Sequence, residues 1–369
     1  MLHSHKYLVL ICCLYLLIPS FIVNKKRGGN TLNQKYPLVD YGQLVAALLV
    51  VLIHCGRLAE NEVVHFVIKS MICRMAVPFF LMLNGYFYQT GTHAFRKWWC
   101  KQRSVYLFWT LLYAPIGILY VQQAQYLKGL PVWVYPFILI IAYMTIGVFY
   151  HLWYFPALMM GMWLVRGTQR FGYRIQFGIA SILYMIGSVE TYSAYLPAPI
   201  AAIYQQYRHL FLTTRNGLFY SFLFILCGFF LAEGKQIVFT KRNHYLLLCL
   251  SVMSVCIEGV VVYQNQGDDK NFLFSLVPIV FLITAFVTRR TTQHAFASAA
   301  WARKFSRWCF FVHPLILELG KWAYGWSGFQ LFGWTIGGVC LSYILKSMCG
   351  HSRRISYIKT FFKQHVQDL

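Results

Sequence analysis

A few ionisable and amide side chains interrupt the long apolar stretches of this 369-residue chain, and these are the residues with chemistry to offer. Asp40, Gln43 and His54 share one stretch. Gln43 and His54 stand eleven residues apart, about three helical turns and ~16 Å of rise, so they project from nearly the same face without touching. Arg74 sits in the next stretch, ahead of Pro78, Phe79, Phe80 and Asn84-Gly85; His151 lies in a long later region, Glu258 further on, and His313 with Glu318 in the last stretch but one. The segment from Val189 to Asn216 adds Glu190, Arg208, His209 and Arg215 beside Asn216. An imidazole exchanges protons near neutral pH. A guanidinium within an apolar span needs a counterion or a wet cavity.

Two readings stand for each of these groups taken singly. A lone histidine in a span can simply bond a backbone carbonyl, and Arg74 can be a packed counterion for Glu258 or Glu318. Taken together the groups point to a polar cavity, because ionisable residues within membrane spans default to functional sites. Trp153 and the many tyrosines read as interface belts and packing rather than as substrate platforms.

The elements that position these groups follow from composition. Hydrophobic residues make up 59% of the chain, charged residues 12%, and mean hydropathy is +0.53. Soluble domains carry about 25% charged residues, so a water-soluble core is excluded, and the chain reads as an all-α, polytopic membrane bundle. The net charge of +23 does not mark a nucleic-acid binder. It is gathered in six clusters, 25–35, 96–103, 166–174, 235–242, 289–307 and 346–363, each set between apolar stretches, as the positive-inside rule places cytoplasmic loops. The eleven cysteines show no CxxC pair or zinc spacing, which predicts no disulfide framework and no metal site.

A span needs about 20 apolar residues. Stretches near 38–57, 65–88, 105–122, 174–189, 216–233, 244–263, 272–288, 304–320 and 328–345 meet this, with a further region at 133–166. If every basic cluster is cytoplasmic, each gap between clusters holds an even number of crossings. That parity makes 133–166 one broken crossing, interrupted around Gly147 to His151, and the total ten core spans. Most of the polar groups then face the outer half. Residues 7–23 form a further apolar run, read as an uncleaved anchor or an overlong start, with a basic linker to 35; the membrane domain is placed at 36–345 and a basic cytoplasmic tail at 346–369.

These residues together resemble the acyltransferase 3 family of integral membrane acyltransferases, from Tyr36 to about Leu345. The first motif of that family has an arginine three residues after an aspartate and a histidine eleven further on. Asp40 and His54 match it, and Gln43 takes the arginine's place. Arg74, Pro78, Phe79, Phe80 and Asn84-Gly85 are similar to the next motif, in which a serine usually precedes the glycine; the string from His151 to Phe155 and the pair His313-Pro314 match as well. The strings HLWYFPAL, TTRNGLF and CRMAVPFF are similar to the membrane half of the membrane-bound serine/alanine racemases of vancomycin-resistance clusters, whose racemase domain does not follow in this chain.

The resemblance implies a multi-pass protein of the bacterial cytoplasmic membrane. It would carry an acyl group, acetyl in the first instance, from cytoplasmic acyl-CoA to a hydroxyl or amine of a cell-surface glycan or similar small acceptor, with no bound cofactor. His54 would be the general base. Arg74 and His151 would stabilise developing charge or hold the donor, and Asp40, Gln43, Arg215, Asn216 and His313 would complete the binding site. The racemase likeness implies an alternative, a transporter of serine or another small amino acid with a separate racemase as partner. Gln43 and Asn84, both off pattern, leave open a member with a sensing or assembly role. Neither implied function involves nucleic acid.

Overall fold

The computed structural model describes residues 23–25, 36–92, 94–123, 131–233, 235–237, 241–289 and 299–351. The run at 7–23 lies outside these residues except for Val23, and so does the tail beyond His351. The helices are α1 (Pro37–His54), α2 (Glu62–Thr90), α3 (Phe95–Gln123), α4 (Tyr135–Thr145), α5 (Tyr154–Gly167) and α6 (Gly172–Ser188). They continue with α7 (Ala198–Phe211), α8 (Gly217–Ala232), α9 (Lys241–Gln264), α10 (Leu276–Arg289), α11 (Ala299–Tyr324) and α12 (Gly328–His351). Among the described residues four segments are long and apolar enough to cross a membrane, Pro37–His54, Glu62–Thr90, Tyr245–Gln264 and Gly328–Met348. One feature departs from an all-helical reading: β1 (Val23–Lys25) pairs antiparallel with β2 (Lys235–Ile237).

Helix α8 is the hub. Every residue from Phe222 to Phe230 is buried, as expected of a helix apolar on all sides. It packs along α2, and the crossing is close because glycines face it from both helices. A Cβ on Gly85 would meet the Ile225 carbonyl, and one on Gly228 would meet the Met82 carbonyl. Small residues permit this approach between membrane helices. Helix α11 runs along α1 and also contacts α12.

Contacts sort the chain termini of the helices into two ends. At one, Tyr36 meets Tyr86 and Phe87, Arg166 covers the Phe95 ring, Gln89 bonds Glu233, and Asp40 pairs with Arg303 at 3.6 Å. The β1–β2 ladder pairs Lys25 with Lys235 in register. At the other end Gly328 N–H donates to the Cys55 carbonyl, and Asp269 N–H to the Glu190 carbonyl.

The segment from Val189 to Asn216, read from sequence as an outer loop, contains helix α7. Pro197 precedes it in an extended conformation, and Pro199 falls in the first turn, where a missing N–H is harmless. The region 133–166 is broken at 146–153, between α4 and α5.

Candidate functional site

The break between α4 and α5 is built around Gly147. Its φ of +79° is left-handed, and a Cβ there would come within 2.7 Å of the Leu152 carbonyl carbon and the Trp153 nitrogen. The chain therefore turns tightly, Gly147 N–H bonding the Ala142 carbonyl and Leu152 N–H that of Phe149. His151 emerges buried among aromatic rings, 4.7 Å from Tyr113 and 5.5 Å from Phe310 between centroids.

Helix α2 reaches the same region through an irregular stretch. From Val67 to Ile72 it winds as a π-helix, and Cys73 N–H bonds the Ile68 carbonyl five residues back; a 3₁₀ turn, Cys73–Met75, follows. Single π-turns of this kind recur at functional sites. On a regular helix Lys69 and Arg74, five residues apart, would point about 140° away from each other. Here both line one cavity. Helix α8 opens with a second π-turn, Gly217–Ser221, which supplies Tyr220; the Asn216 side chain caps it by accepting from the N–H groups of Leu218 and Phe219 at 3.0 Å.

The cavity that results has a volume of about 210 Å³. Its lining includes His54 from the end of α1, Lys69 and Arg74 from α2, His151 and Trp153 from the break, Arg215 and Tyr220 around the start of α8, Asp269 and Asn271 from the α9–α10 connection, and Phe310 from α11. Asp269 is the one carboxylate in that lining, against three cations. Arg74 Nη2 donates to Asp269 Oδ1 at 3.1 Å, and its Nη1 donates to Asn271 Oδ1. The Arg215 guanidinium lies over the Trp153 ring, 4.5 Å from its centroid, and 4.0 Å from Asp269 Oδ2. Lys69 Nζ donates to the Gly56 carbonyl at 2.9 Å.

A second imidazole backs His54. The rings of His54 and His313 stack at 5.9 Å, and His313 also lies 5.9 Å from His151. His313 Nδ1 is 2.8 Å from the Cys309 carbonyl, which can only accept, so Nδ1 carries a proton. The His313 Nε2 and both ring nitrogens of His151 are buried without a hydrogen-bond partner among the described residues.

Of the residues singled out by sequence, the structure brings His54, Arg74, His151 and Arg215 to the cavity wall, with His313 directly behind. Asn216 shapes the start of α8 instead of lining the cavity. Asp40 and Gln43 do not join it: Asp40 is buried at the opposite end beside Arg303, and the Gln43 backbone carbonyl accepts from Ser306 Oγ at 2.9 Å while its side-chain Oε1 is buried unbonded. The Gln43 backbone and the His54 ring nevertheless both meet α11, at Ser306 and His313.

Other expectations are corrected. The partners of Arg74 are Asp269 and Asn271, not Glu258 or Glu318. Glu258 instead accepts from Phe274 and Ser275 N–H at 2.6 and 2.8 Å and from the Tyr192 hydroxyl, so it caps the start of α10, while Glu318 pairs with Lys321 at 3.0 Å. Trp153 lines the cavity beneath Arg215 because the break turns it inward. Lys69, Asp269 and Asn271 were missed. Only the polar string Asp268-Asp269-Lys270-Asn271 between two apolar stretches signalled part of that group.

The loop carrying Arg215 is held by Glu190. Its carboxyl lies 2.9 Å from Thr213 Oγ1, 2.7 Å from the Thr214 nitrogen and 2.5 Å from Thr214 Oγ1. Burial pushes the Glu190 carboxyl above the usual carboxylate range. Asn84 Nδ2 donates to the Tyr154 hydroxyl at 2.9 Å and so ties α2 to α5 below the cavity.

Comparison with known proteins places this geometry. A family profile described as "Acyltransferase domain", of the acyltransferase 3 type, matches residues 36–347. A serine/alanine racemase from Enterococcus gallinarum is 29% identical over 301 residues, 75% of this chain and 40% of that protein. An amino-acid racemase from Enterococcus faecalis is 30% identical over 236 residues, 60% of this chain and 32% of that protein. The chain thus spans well under half the length of these curated relatives. No solved structure matches it significantly.

Proposed function

Since the chain belongs to the acyltransferase 3 family over residues 36–347, we propose that it is an integral membrane acyltransferase of about ten crossings. It moves an acyl group, acetyl in the first instance, from cytoplasmic acyl-CoA to a hydroxyl or amine of a cell-surface glycan or a related small acceptor. The observation that carries this reading is His54, an imidazole on the wall of a cation-rich cavity and stacked on a second imidazole.

In this reading the acceptor enters the cavity and His54 takes the proton from its hydroxyl or amine as that atom attacks the thioester carbonyl. Arg74 and His151 stabilise the negative charge that builds on the carbonyl oxygen. Collapse forms the ester or amide bond, breaks the carbon–sulfur bond, and returns the proton to the departing thiolate of CoA. The donor approaches from the basic end along the face of α1 that meets α11, passing Gln43. An amide there donates hydrogen bonds without a charge, which makes the hold on the donor weaker than an arginine would give.

A second reading, movement of a small amino acid, has two supports of its own: the relatives named as serine/alanine and amino-acid racemases, and the break at 146–153, since interrupted helices commonly form transporter binding sites. One experiment separates the two. The purified chain is reconstituted in vesicles and supplied with labelled acetyl-CoA on one side and, separately, labelled serine, with His54→Ala as control. Acyl transfer that disappears in His54→Ala supports the enzyme. Serine flux that survives His54→Ala, without transfer to any acceptor, overturns it.

A further inference from the structure

We propose that the outer part of the cavity is an oxyanion subsite, which seats the carboxylate or phosphate group of a small acceptor between Arg215 and Lys69. The inference rests on the reading of this cavity as the acceptor's site.

The balance of charge and of hydrogen bonds carries it. Asp269 is fully engaged: Oδ1 receives Arg74 Nη2 at 3.1 Å and the Lys270 N–H at 2.6 Å, and Oδ2 receives the Asn271 amide. Arg215 stands off at 4.0 Å from Oδ2, beyond hydrogen-bonding distance. One carboxylate therefore answers one guanidinium and leaves Arg215 and Lys69 as surplus positive charge around 210 Å³ of space. Among the described residues neither Arg74 Nε nor Arg215 Nε, both buried, has an acceptor, and a buried charged donor left unbonded is costly.

The geometry of Arg215 suits an oxyanion. Its guanidinium carbon lies over the Trp153 ring, which anchors the group while the N–H groups along its edge remain as donors. Such an edge matches the paired oxygens of a carboxylate or phosphate. A volume of about 210 Å³ is below the roughly 300–1,000 Å³ of pockets for drug-sized ligands and admits a small molecule. The subsite also lies at the end away from the Asp40–Arg303 pair. Lys69 is tied to Gly56, and Asp269 N–H to the Glu190 carbonyl, so the bound anion belongs to the acceptor and not to a donor arriving from the basic end.

The test measures ligand-induced stabilisation of the full chain in lipid nanodiscs, with no acyl donor present. The probes are acetate, L-lactate and inorganic phosphate, beside the neutral acetamide and glycerol, with chloride at matched ionic strength. At least one oxyanion probe should raise the unfolding midpoint where its neutral counterpart and chloride do not. Arg215→Gln and Lys69→Gln, each monodisperse by size exclusion, should weaken that binding by about 10- to 100-fold, and Arg215→Lys less. Stabilisation by carboxylates alone or by phosphate alone supports the subsite and identifies the group. The proposal is overturned if no oxyanion exceeds its neutral counterpart or if binding survives both Gln variants. Oxyanion binding without acyl transfer would count against the enzyme reading alone. Acyl transfer to neutral alcohols without oxyanion binding would count against the subsite alone.

Discussion

His54 and His313 stack with their ring centroids 5.9 Å apart and their planes 22° from parallel, and the Nδ1 of His313 is spoken for by the Cys309 carbonyl. The pair is asymmetric: His54 reaches the cavity, and His313 sits behind it, fully buried. Removing the first should abolish proton transfer, while removing the second should disturb only the placement of the first. In a reconstituted acetyl-CoA assay, His54→Ala is expected to lower kcat by about 10²- to 10⁴-fold. His313→Ala should retain more activity than His54→Ala. Equal activity of His54→Ala and wild type would exclude His54 as the base.

Glu190 bears on pH. The Thr214 hydroxyl has one hydrogen but lies 2.7 Å from the Gly187 carbonyl and 2.5 Å from Glu190 Oε2, so a proton on the carboxyl completes the arrangement by donating back to Thr214 Oγ1. Burial raises this carboxyl's pKa above its ordinary value. The folded state then binds the proton more tightly than the unfolded one, and stability falls as pH rises from the usual carboxyl range to the raised folded value. Unfolding midpoints recorded across that window should show this decline in wild type, and Glu190→Gln should flatten it. An unchanged slope in Glu190→Gln would remove Glu190 as its cause.

The crossing of α2 and α8 leaves no room for a methyl group at Gly228, where a Cβ would meet the Met82 carbonyl and come 2.8 Å from the Tyr86 nitrogen. Gly228→Ala should cost about 1–3 kcal/mol as the helices are forced apart. Ala at Gly178, where a Cβ meets nothing within 4 Å, is the matched control and should leave the unfolding midpoint near wild type.

Glu258 holds the turn that leads into α10 through the N–H groups of Phe274 and Ser275. Glu258→Ala strands both donors in a buried site and should lower stability by about 1–3 kcal/mol. Glu258→Gln keeps one acceptor oxygen and should lose less. Thermal unfolding of the two variants side by side checks the order.

Sequence alone made part of this site legible, for a physical reason. An ionisable side chain in an apolar stretch needs a compensating environment, so His54, Arg74, His151, Arg215 and His313 stand out one by one, and the structure gathers them. The counterion was not legible. Asp269 reaches Arg74 across 195 positions of sequence through a short connection folded against α2, and no local pattern distinguishes it from Glu258 or Glu318. Lys69 was hidden because regular helical winding points it away from Arg74. Trp153 was read from its type as an interface residue, but its direction is set by the turn at Gly147. The break itself was readable, since 133–166 is too long for one straight span, whereas α7 was not, its helix being set in a stretch taken as loop.

The π-turn at Val67–Ile72 amounts to an extra residue held within α2. Wound as a regular helix without loss of a residue, the segment would be still apolar and still long enough to span, while Lys69 would swing about 140° out of register with Arg74. The scaffold and the reactive lining are therefore set separately: two chains of this architecture, indistinguishable in hydropathy and span count, can differ in what they recognise through the winding of a single turn.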